Sequence, residues 1–94
     1  MKVRSVRHRG LKRLIQQGDN REIRPDMVKR IQHVLTILMA APNLQSVRGY
    51  PGWRIHELSG NRKGTWSISV TGNWRITFEL IKDEIGNLDL EDYH

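Results

Sequence analysis

The chain has 94 residues, a formal net charge of +6 and no cysteine, so residues 1–94 form one small domain without disulfides or thiolate metal sites. No apolar run approaches the roughly 20 residues of a membrane span, and the opening M-K-V-R-S-V-R-H lacks a signal peptide's apolar segment, so we expect a soluble cytoplasmic protein without membrane partners. Residues 1–30 contain ten Lys or Arg and three acids, a balance of +7 against −1 for residues 31–94, which favours a nucleic-acid partner over a merely solvated charged face.

The first half of the chain is predicted to be helical. Residues 3–6 allow at most a short strand, and apolar residues at helical spacing then predict a helix over residues 8–17, stopped by Gly18. A second helix is predicted to begin at Pro25 and to end before Pro42. Its continuous apolar stripe is expected to pack on a sheet rather than to form a groove for a partner.

Four strands are predicted in the second half, at residues 53–58, 65–71, 74–80 and 88–90, with Gly72-Asn73 as a hairpin connection. Strict alternation assigns one face of the central pair to the core, through Trp66, Ile68, Val70, Trp74, Ile76 and Phe78. The whole order indicates an α+β fold with two N-terminal helices packed on one face of a mainly antiparallel, twisted sheet.

The other face of the sheet is expected to be uncovered and to carry Arg75, His56 and several Ser and Thr side chains. Arg62 and Lys63 lie on the turn before the central pair, where we expect both to be presented to solvent. We therefore look for function on this face.

No metal or nucleotide cofactor is indicated by the motifs. His56-Glu57 begins like the zinc motif H-E-x-x-H, but position 60 is Gly and the segment is predicted to be a strand. Phosphate-binding loop and dinucleotide fingerprints are absent from the sequence.

The remaining side chains are of the types that cleave RNA. Imidazole, phenol and carboxylate groups suit the proton transfers at the 2′-hydroxyl and the leaving 5′-oxygen, and a guanidinium suits the phosphate. These candidates are His56, Arg62, Lys63, Arg75, Asp92, Tyr93 and His94. The residues alone leave open that Arg75 merely pairs with a polar or acidic neighbour in the sheet and that the terminal Tyr-His is accidental.

Three stretches carry a resemblance to a known family. L-S-G-N-R-K-G-T-W-S-I-S-V-T-G-N-W-R-I-T-F at residues 58–78 and E-D-Y-H at residues 91–94, with H-R-G-L-K at residues 8–12, resemble the HigB toxins of the RelE/ParE superfamily. The resemblance covers essentially the whole chain. It implies a RelE/ParE-like fold, metal-independent and ribosome-dependent cleavage of mRNA in the decoding site with a cyclic phosphate product, and a HigA-like helix-turn-helix antitoxin as partner.

The resemblance also implies roles for single residues. His56 is similar to the family's histidine before the glycine turn, Arg75 to its strand arginine, and Asp92, Tyr93 and His94 to its terminal catalytic group. We expect the two histidines to share the general base and acid roles, in an order that stays open, and Tyr93 to orient or deprotonate the 2′-hydroxyl.

The phosphate contacts depart from the family pattern at one position. Ser59 stands where some members have Lys, so a phosphate-stabilising cation is missing there, and either Arg62 or Lys63 compensates for it or the enzyme is slower. Arg62 is expected to stabilise the phosphorane together with Arg75. The cations expected to contact ribosomal RNA are Arg4, Arg7, Arg9, Lys12, Arg13 and Lys63.

Two other functions remain open. In the ParE branch the same fold poisons DNA gyrase without cleaving RNA, although His56 together with the terminal Tyr-His argues against that function. A non-catalytic RNA-binding module would need only the basic N-terminal part.

Overall fold

Two helices and a four-stranded antiparallel sheet make up the computed structural model, which describes residues 1–93. The elements are α1 (Arg9–Gln17), α2 (Val28–Ala40), β1 (His56–Glu57), β2 (Thr65–Thr71), β3 (Trp74–Ile81) and β4 (Glu84–Asp92). The strands are ordered β1-β2-β3-β4, so every neighbouring pair is also consecutive in sequence. The predicted α+β architecture is confirmed. No helix within residues 1–93 is long and apolar enough to cross a membrane.

Local signals fix the ends of both helices. The ring of His8 accepts a hydrogen bond from the amide of Leu11 at 3.2 Å, and Gly18 ends α1 in the left-handed conformation with φ of 68°. A 3-10 turn, Pro25–Met27, leads into α2, which ends two residues before Pro42. The predicted helices are therefore confirmed.

The core lies between the helices and one face of the sheet, which we call the inner face. Ile31 and Leu38 of α2 and Ile68, Ile76 and Phe78 of the central strands are all 0% exposed. Trp66 and Trp74, which the alternation also assigns to this face, are only partly buried at its margin. The fully buried tryptophan is Trp53, which precedes β1.

The N-terminal segment lies along the free side of β4. Val3 and Val6 form parallel bridges with Ile85 and Leu88, and the amide of Arg7 donates to the Leu88 carbonyl at 2.7 Å. This parallel addition makes the sheet mainly antiparallel, as predicted. It also places Arg7 beside the last strand.

Two predicted strand lengths were wrong. The strand predicted at residues 53–58 is reduced to His56–Glu57, because Arg54 has φ of 49° and interrupts the extended backbone. The strand predicted at residues 88–90 runs from Glu84 to Asp92 instead, because Lys82 and Asp83 already complete the turn with φ of 52° and 62°.

Candidate active site

Two rows of polar side chains cross the face of the sheet that points away from the helices, which we call the outer face. Residues paired across adjacent strands lie side by side on the same face. The first row consists of His56, Ser67, Thr77 and Asp89, one from each strand. The second row consists of Ser69, Arg75 and Glu91. The pairing therefore brings His56 and Arg75 to one face, two strand spacings and one row apart, or roughly 12 Å between their backbones.

The ring of His56 is held by the backbone that interrupts its strand. Its Nδ1 lies 2.9 Å from the carbonyl oxygen of Arg54. Because a carbonyl only accepts hydrogen bonds, Nδ1 carries the proton in the neutral ring and Nε2 keeps its lone pair. No residue among 1–93 bonds to Nε2, and the side chain is exposed. This tautomer is the one that accepts a proton from a substrate hydroxyl.

Arg75 is a cation with a neutral partner. Its Nη1 donates to the hydroxyl of Ser69, its cross-strand neighbour, which is the pairing that the sequence left open. Within residues 1–93 it forms no ion pair with a carboxylate. The guanidinium charge of this partly buried residue is therefore available to an anion at the outer face.

Arg62 reaches across the outer face instead of pointing into solvent. It ends the 3-10 turn Gly60–Arg62 between β1 and β2, and its Nη1 and Nη2 donate to the two carboxylate oxygens of Glu91 at 2.9 and 2.7 Å. The hydroxyl of Thr77 donates to the same carboxylate. Arg62 is therefore only partly exposed and is paired with an acid, whereas Lys63 is exposed as predicted.

The outer face is also less open than the sequence indicates. Ser67 and Thr77, in the middle of the first row, are each only 2% exposed. The expectation of an uncovered face was wrong at these positions, and His56 and Arg75 remain on either side of them.

The pair of Arg62 and Glu91 is charged over the ordinary pH range. The hydrogen bond from Arg62 lowers the pKa of Glu91 from its usual 4.5, against the opposing effect of burial. The hydrogen bond from Thr77 and the positive charge of Arg7 lower that pKa further. The pKa of Arg62 is raised in turn, chiefly by its hydrogen bond to Glu91.

The predicted terminal group divides between the two faces. The amide of Tyr93 donates to the Asn73 carbonyl at 2.7 Å, so the chain remains paired with the sheet beyond Glu91, and Tyr93 is 44% exposed. Alternation assigns Tyr93 to the outer face with Glu91. Asp92 lies opposite Trp74 on the inner side. The hydrogen bond to Asp26 is the main cause of the raised pKa of Arg24, and the charge of Asp92 adds to it. His94 lies outside the described residues.

Most of the arginines expected to contact RNA are already paired with acids. Glu22 binds Arg9 at 2.8 Å and Arg13 at 2.6 Å, and Arg4 lies 3.3 Å from Glu84. Three expected RNA contacts form no ion pair within residues 1–93, namely Arg7, Lys12 and Lys63. The free positive charge of the N-terminal part is therefore smaller than its composition indicates.

Sequence reasoning missed Glu91, Thr77 and Arg54 as site residues. Glu91 stands two positions before Tyr93, so alternation could have assigned both to one face, but its partner depends on strand register. The Arg54 carbonyl acts through a left-handed backbone that gave no signal in the sequence. Residues 1–93 contain no group of three His, Cys, Asp or Glu placed to hold a metal ion.

Comparison with known proteins gives consistent matches. Residues 4–94 match a family model described as the RelE-like toxin of type II toxin-antitoxin system HigB. The chain is 36% identical over 92 residues to the endoribonuclease HigB of Proteus vulgaris, with 98% of this chain and 99% of that protein covered.

Solved structures of YafQ from E. coli share the fold. A crystal structure of a YafQ mutant superimposes with a TM-score of 0.51 at 15% identity, covering 85% of this chain and 76% of that one. YafQ from strain BL21(DE3) gives a TM-score of 0.50 with the same identity and coverage. At this identity the likeness concerns the fold alone.

Proposed function

This chain belongs to the family of HigB-like toxins, the RelE-like toxins of type II toxin-antitoxin systems, and on that premise we propose that it is an endoribonuclease that cleaves mRNA on the ribosome. The observation that carries the proposal is the outer face. There two neighbouring rows of one sheet present His56, whose Nε2 accepts no hydrogen bond from residues 1–93, and Arg75, which has no acidic partner among the same residues.

The reaction assigned to this face is transfer of the phosphodiester to the adjacent 2′-oxygen. A base removes the 2′-hydroxyl proton, the new O2′–P bond forms, the P–O5′ bond breaks, and an acid protonates the leaving 5′-oxygen. The product is a 2′,3′-cyclic phosphate. Because side chains supply the base, the acid and the cation, we propose that the cleavage is independent of metal ions.

Three residues of the outer face have roles in these reaction steps. His56 exchanges a proton through Nε2. When it acts as the base, its ring is in the tautomer whose Nδ1–H bonds to the Arg54 carbonyl. Arg75 neutralises the charge that develops on the five-coordinate phosphorus, where a guanidinium fork binds two oxygens. Tyr93 orients the 2′-hydroxyl from the same face. His94 is proposed, from the family resemblance alone, to complete the acid–base pair.

We do not assign Asp92 the catalytic role that its place in the terminal group implies. It lies beside Trp74 on the inner side of the sheet, away from Arg75. We assign it the task of orienting the end of β4, and with it Tyr93, without contact to the RNA.

Partners follow from the same premise. A type II toxin has an antitoxin, and we propose a helix-turn-helix protein similar to HigA for this one. Arg7, Lys12 and Lys63, which form no ion pair within the described part of the chain, are proposed to contact ribosomal RNA first, since the release of counterions requires charges that are not already neutralised by acids. Arg4, Arg9 and Arg13 would join after exchanging their carboxylate partners for phosphates.

The proposal is tested by primer extension on ribosome-bound mRNA. His56→Ala and Arg75→Ala are each expected to reduce the cleavage rate by about 10²- to 10⁴-fold. Matched controls are His33→Ala, an exposed histidine of α2 bonded to Tyr50, and Arg21→Ala, an arginine paired with Asp19. Both controls are expected to cleave like the parent chain, in the presence of a chelator as well.

Other outcomes of the same assay separate the alternatives. Parent-like cleavage by His56→Ala and Arg75→Ala would show that the outer face is not the site. Inhibition of gyrase supercoiling without any cut in RNA would establish the ParE-like function instead. RNA binding without growth arrest on expression would leave a non-catalytic module.

A further inference from the structure

Within residues 1–93, the connection between β1 and β2, residues 59–64, is tied to the outer face by one contact with a distant strand. Its other hydrogen bonds are local, from the amides of Arg62 to Ser59 at 3.3 Å, of Lys63 to Gly60 at 3.2 Å and of Gly64 to the Glu57 carboxylate at 2.8 Å. Among residues 1–93, only the ion pair between Arg62 and Glu91, 29 residues apart, ties the connection to β3 or β4.

Glu91 collects contacts from several parts of the chain. Both carboxylate oxygens accept from Arg62 in the two-pronged geometry that fixes orientation as well as distance, and the buried Thr77 adds a hydrogen bond from β3. The charge of Arg7, from the N-terminal segment, acts on the same carboxylate. The exposed fractions are 37% for the Arg62 side chain and 25% for that of Glu91, so solvent only partly screens the pair.

His56 lies three residues before the connection that this tie holds. Its strand β1 consists of two residues at the edge of the sheet, paired as His56–Ser67 and Glu57–Trp66. One backbone hydrogen bond to β2 follows on each side, from the Leu58 amide to the Thr65 carbonyl and from the Ser69 amide to the Trp53 carbonyl, both at 2.8 Å. The left-handed Arg54 bounds that strand on one side and the 59–64 connection on the other. So short an edge strand constrains its side chains weakly, and fixing the connection restricts how far His56 moves.

We propose that Glu91 is a positioning residue of the RNA-cleaving site, which holds Arg62 and thereby sets the 59–64 connection and His56 for the substrate. The inference rests on the proposed endoribonuclease function. In this role Arg62 acts through its bond to Glu91 and not by touching the phosphate, whose charge is left to Arg75. The alternative, direct contact of Arg62 with the phosphate, would require the pair to open.

A charge exchange distinguishes these two roles. Glu91→Ala and Arg62→Ala are each expected to reduce the cleavage rate by about 10- to 100-fold, mainly in kcat, because a misplaced group loses reactive orientation. Glu91→Gln keeps the shape and one acceptor and is expected to lose less. The double variant Arg62→Glu with Glu91→Arg restores the ion pair with its direction reversed, and is expected to recover most of the lost rate. Arg21→Ala, which breaks a similar two-pronged pair with Asp19, is the control and should match the parent.

Hydrogen exchange supplies a readout that does not depend on activity. Amides of residues 59–64 are expected to exchange faster in Glu91→Ala than in the parent, and to return towards parental rates in the double variant Arg62→Glu with Glu91→Arg. Unchanged hydrogen exchange rates in Glu91→Ala would show that Glu91 does not hold the connection, and would leave the proposed function intact. Restored protection without restored cleavage would overturn the positioning role in favour of direct phosphate contact by Arg62. A parent chain that does not cleave, with exchange behaving as expected, would overturn the proposed function alone.

Discussion

The two faces of the sheet are formed by the same strands but are held in different ways. On the inner face, Ile68, Ile76 and Phe78 are fully buried against the helices and need only suitable shape and volume. On the outer face, polar groups far apart in sequence are held by directed bonds, such as those of Arg62 and Thr77 to Glu91.

This difference determines what each face tolerates. Apolar packing is spread over many contacts, so the inner face loses stability in proportion to the volume removed. The outer face depends on a few pairs, so a change of one atom there alters orientation and charge with little effect on the fold. Substitutions of two neighbouring residues on one strand should therefore have different effects, a loss of stability for the inner-face residue and a loss of cleavage for the outer-face residue.

The largest expected effect comes from adjacent residues of β3. Ile76→Ala removes a fully buried side chain and is expected to lower the free energy of unfolding by about 2–5 kcal/mol. Arg75→Ala, one position before it, is expected to change that free energy by less than about 1 kcal/mol while abolishing most of the cleavage. Urea unfolding of both variants beside the cleavage assay checks the contrast. Equal destabilisation by the two changes would contradict the division between faces.

Thr77→Val tests a position where the outer face is as buried as the inner one. Thr77 is on the outer face but only 2% exposed, and its hydroxyl donates to a carboxylate. Because hydrogen bonds to charged groups contribute about 1.5–3 kcal/mol, we expect a loss of stability near the lower end of that range, since Arg62 still pairs with Glu91. Thr65→Val, on the same strand face but partly exposed, is the control. No difference between the two variants would show that the hydroxyl is dispensable.

The sequence predicted the inner face far better than the outer one. Alternation in β2 and β3 is a local signal that assigns Ile68, Ile76 and Phe78 to the core without knowledge of their partners. The contacts of Arg62 depend on strand register and on the path of a loop, which alternation leaves undetermined. The shortening of β1 likewise follows from the left-handed Arg54, a conformation that its residue type does not indicate.

The number of free charges also depends on tertiary contacts that the sequence does not reveal. Counting residues gave a strongly basic N-terminal part, but Glu22 folds back to pair with both Arg9 and Arg13. Composition records how many charges a segment has. How many of them are free depends on tertiary contacts.

A falling pH should weaken the ion pair between Arg62 and Glu91 on the outer face before it affects the apolar packing of the inner face. The pKa of Glu91 is lowered in the folded state, so its contribution to stability is present above its unfolded value of about 4.5 and is lost as pH falls through the folded pKa. Urea unfolding at decreasing pH should show a smaller loss in Glu91→Gln than in the parent. The carboxylates of Asp19 and Asp26, whose pKa values arginines also lower, contribute the same slope to both chains. Identical pH dependences of the free energy of unfolding in parent and variant would show that the Glu91 carboxylate does not contribute to stability through Arg62.

The smallest effect is expected at the basic N-terminal part. Glu22→Gln removes the acid shared by Arg9 and Arg13, and Arg13 keeps a second partner in Asp19 at 3.5 Å, so that Arg9 is the cation that is freed. RNA affinity should therefore fall more steeply with salt, by up to about one unit of slope. Asp83→Asn, an exposed acid in the turn before β4, gives the same change in net charge without freeing either arginine. Equal slopes for the two variants would show that net charge, and not the local pairing, governs binding.

His56 and Arg75 are proposed to act on one phosphate at the outer face, and a double variant of these two residues shows whether they act together. The single-turnover cleavage rate of ribosome-bound mRNA is compared for His56→Ala, Arg75→Ala and the combination of the two. If both residues act in one reaction step, their losses are strongly non-additive, and the double variant cleaves about as slowly as the slower single variant. A rate reduced by the full product of the two single losses would show that they act independently, and parental rates in both single variants would place the chemistry elsewhere on the molecule.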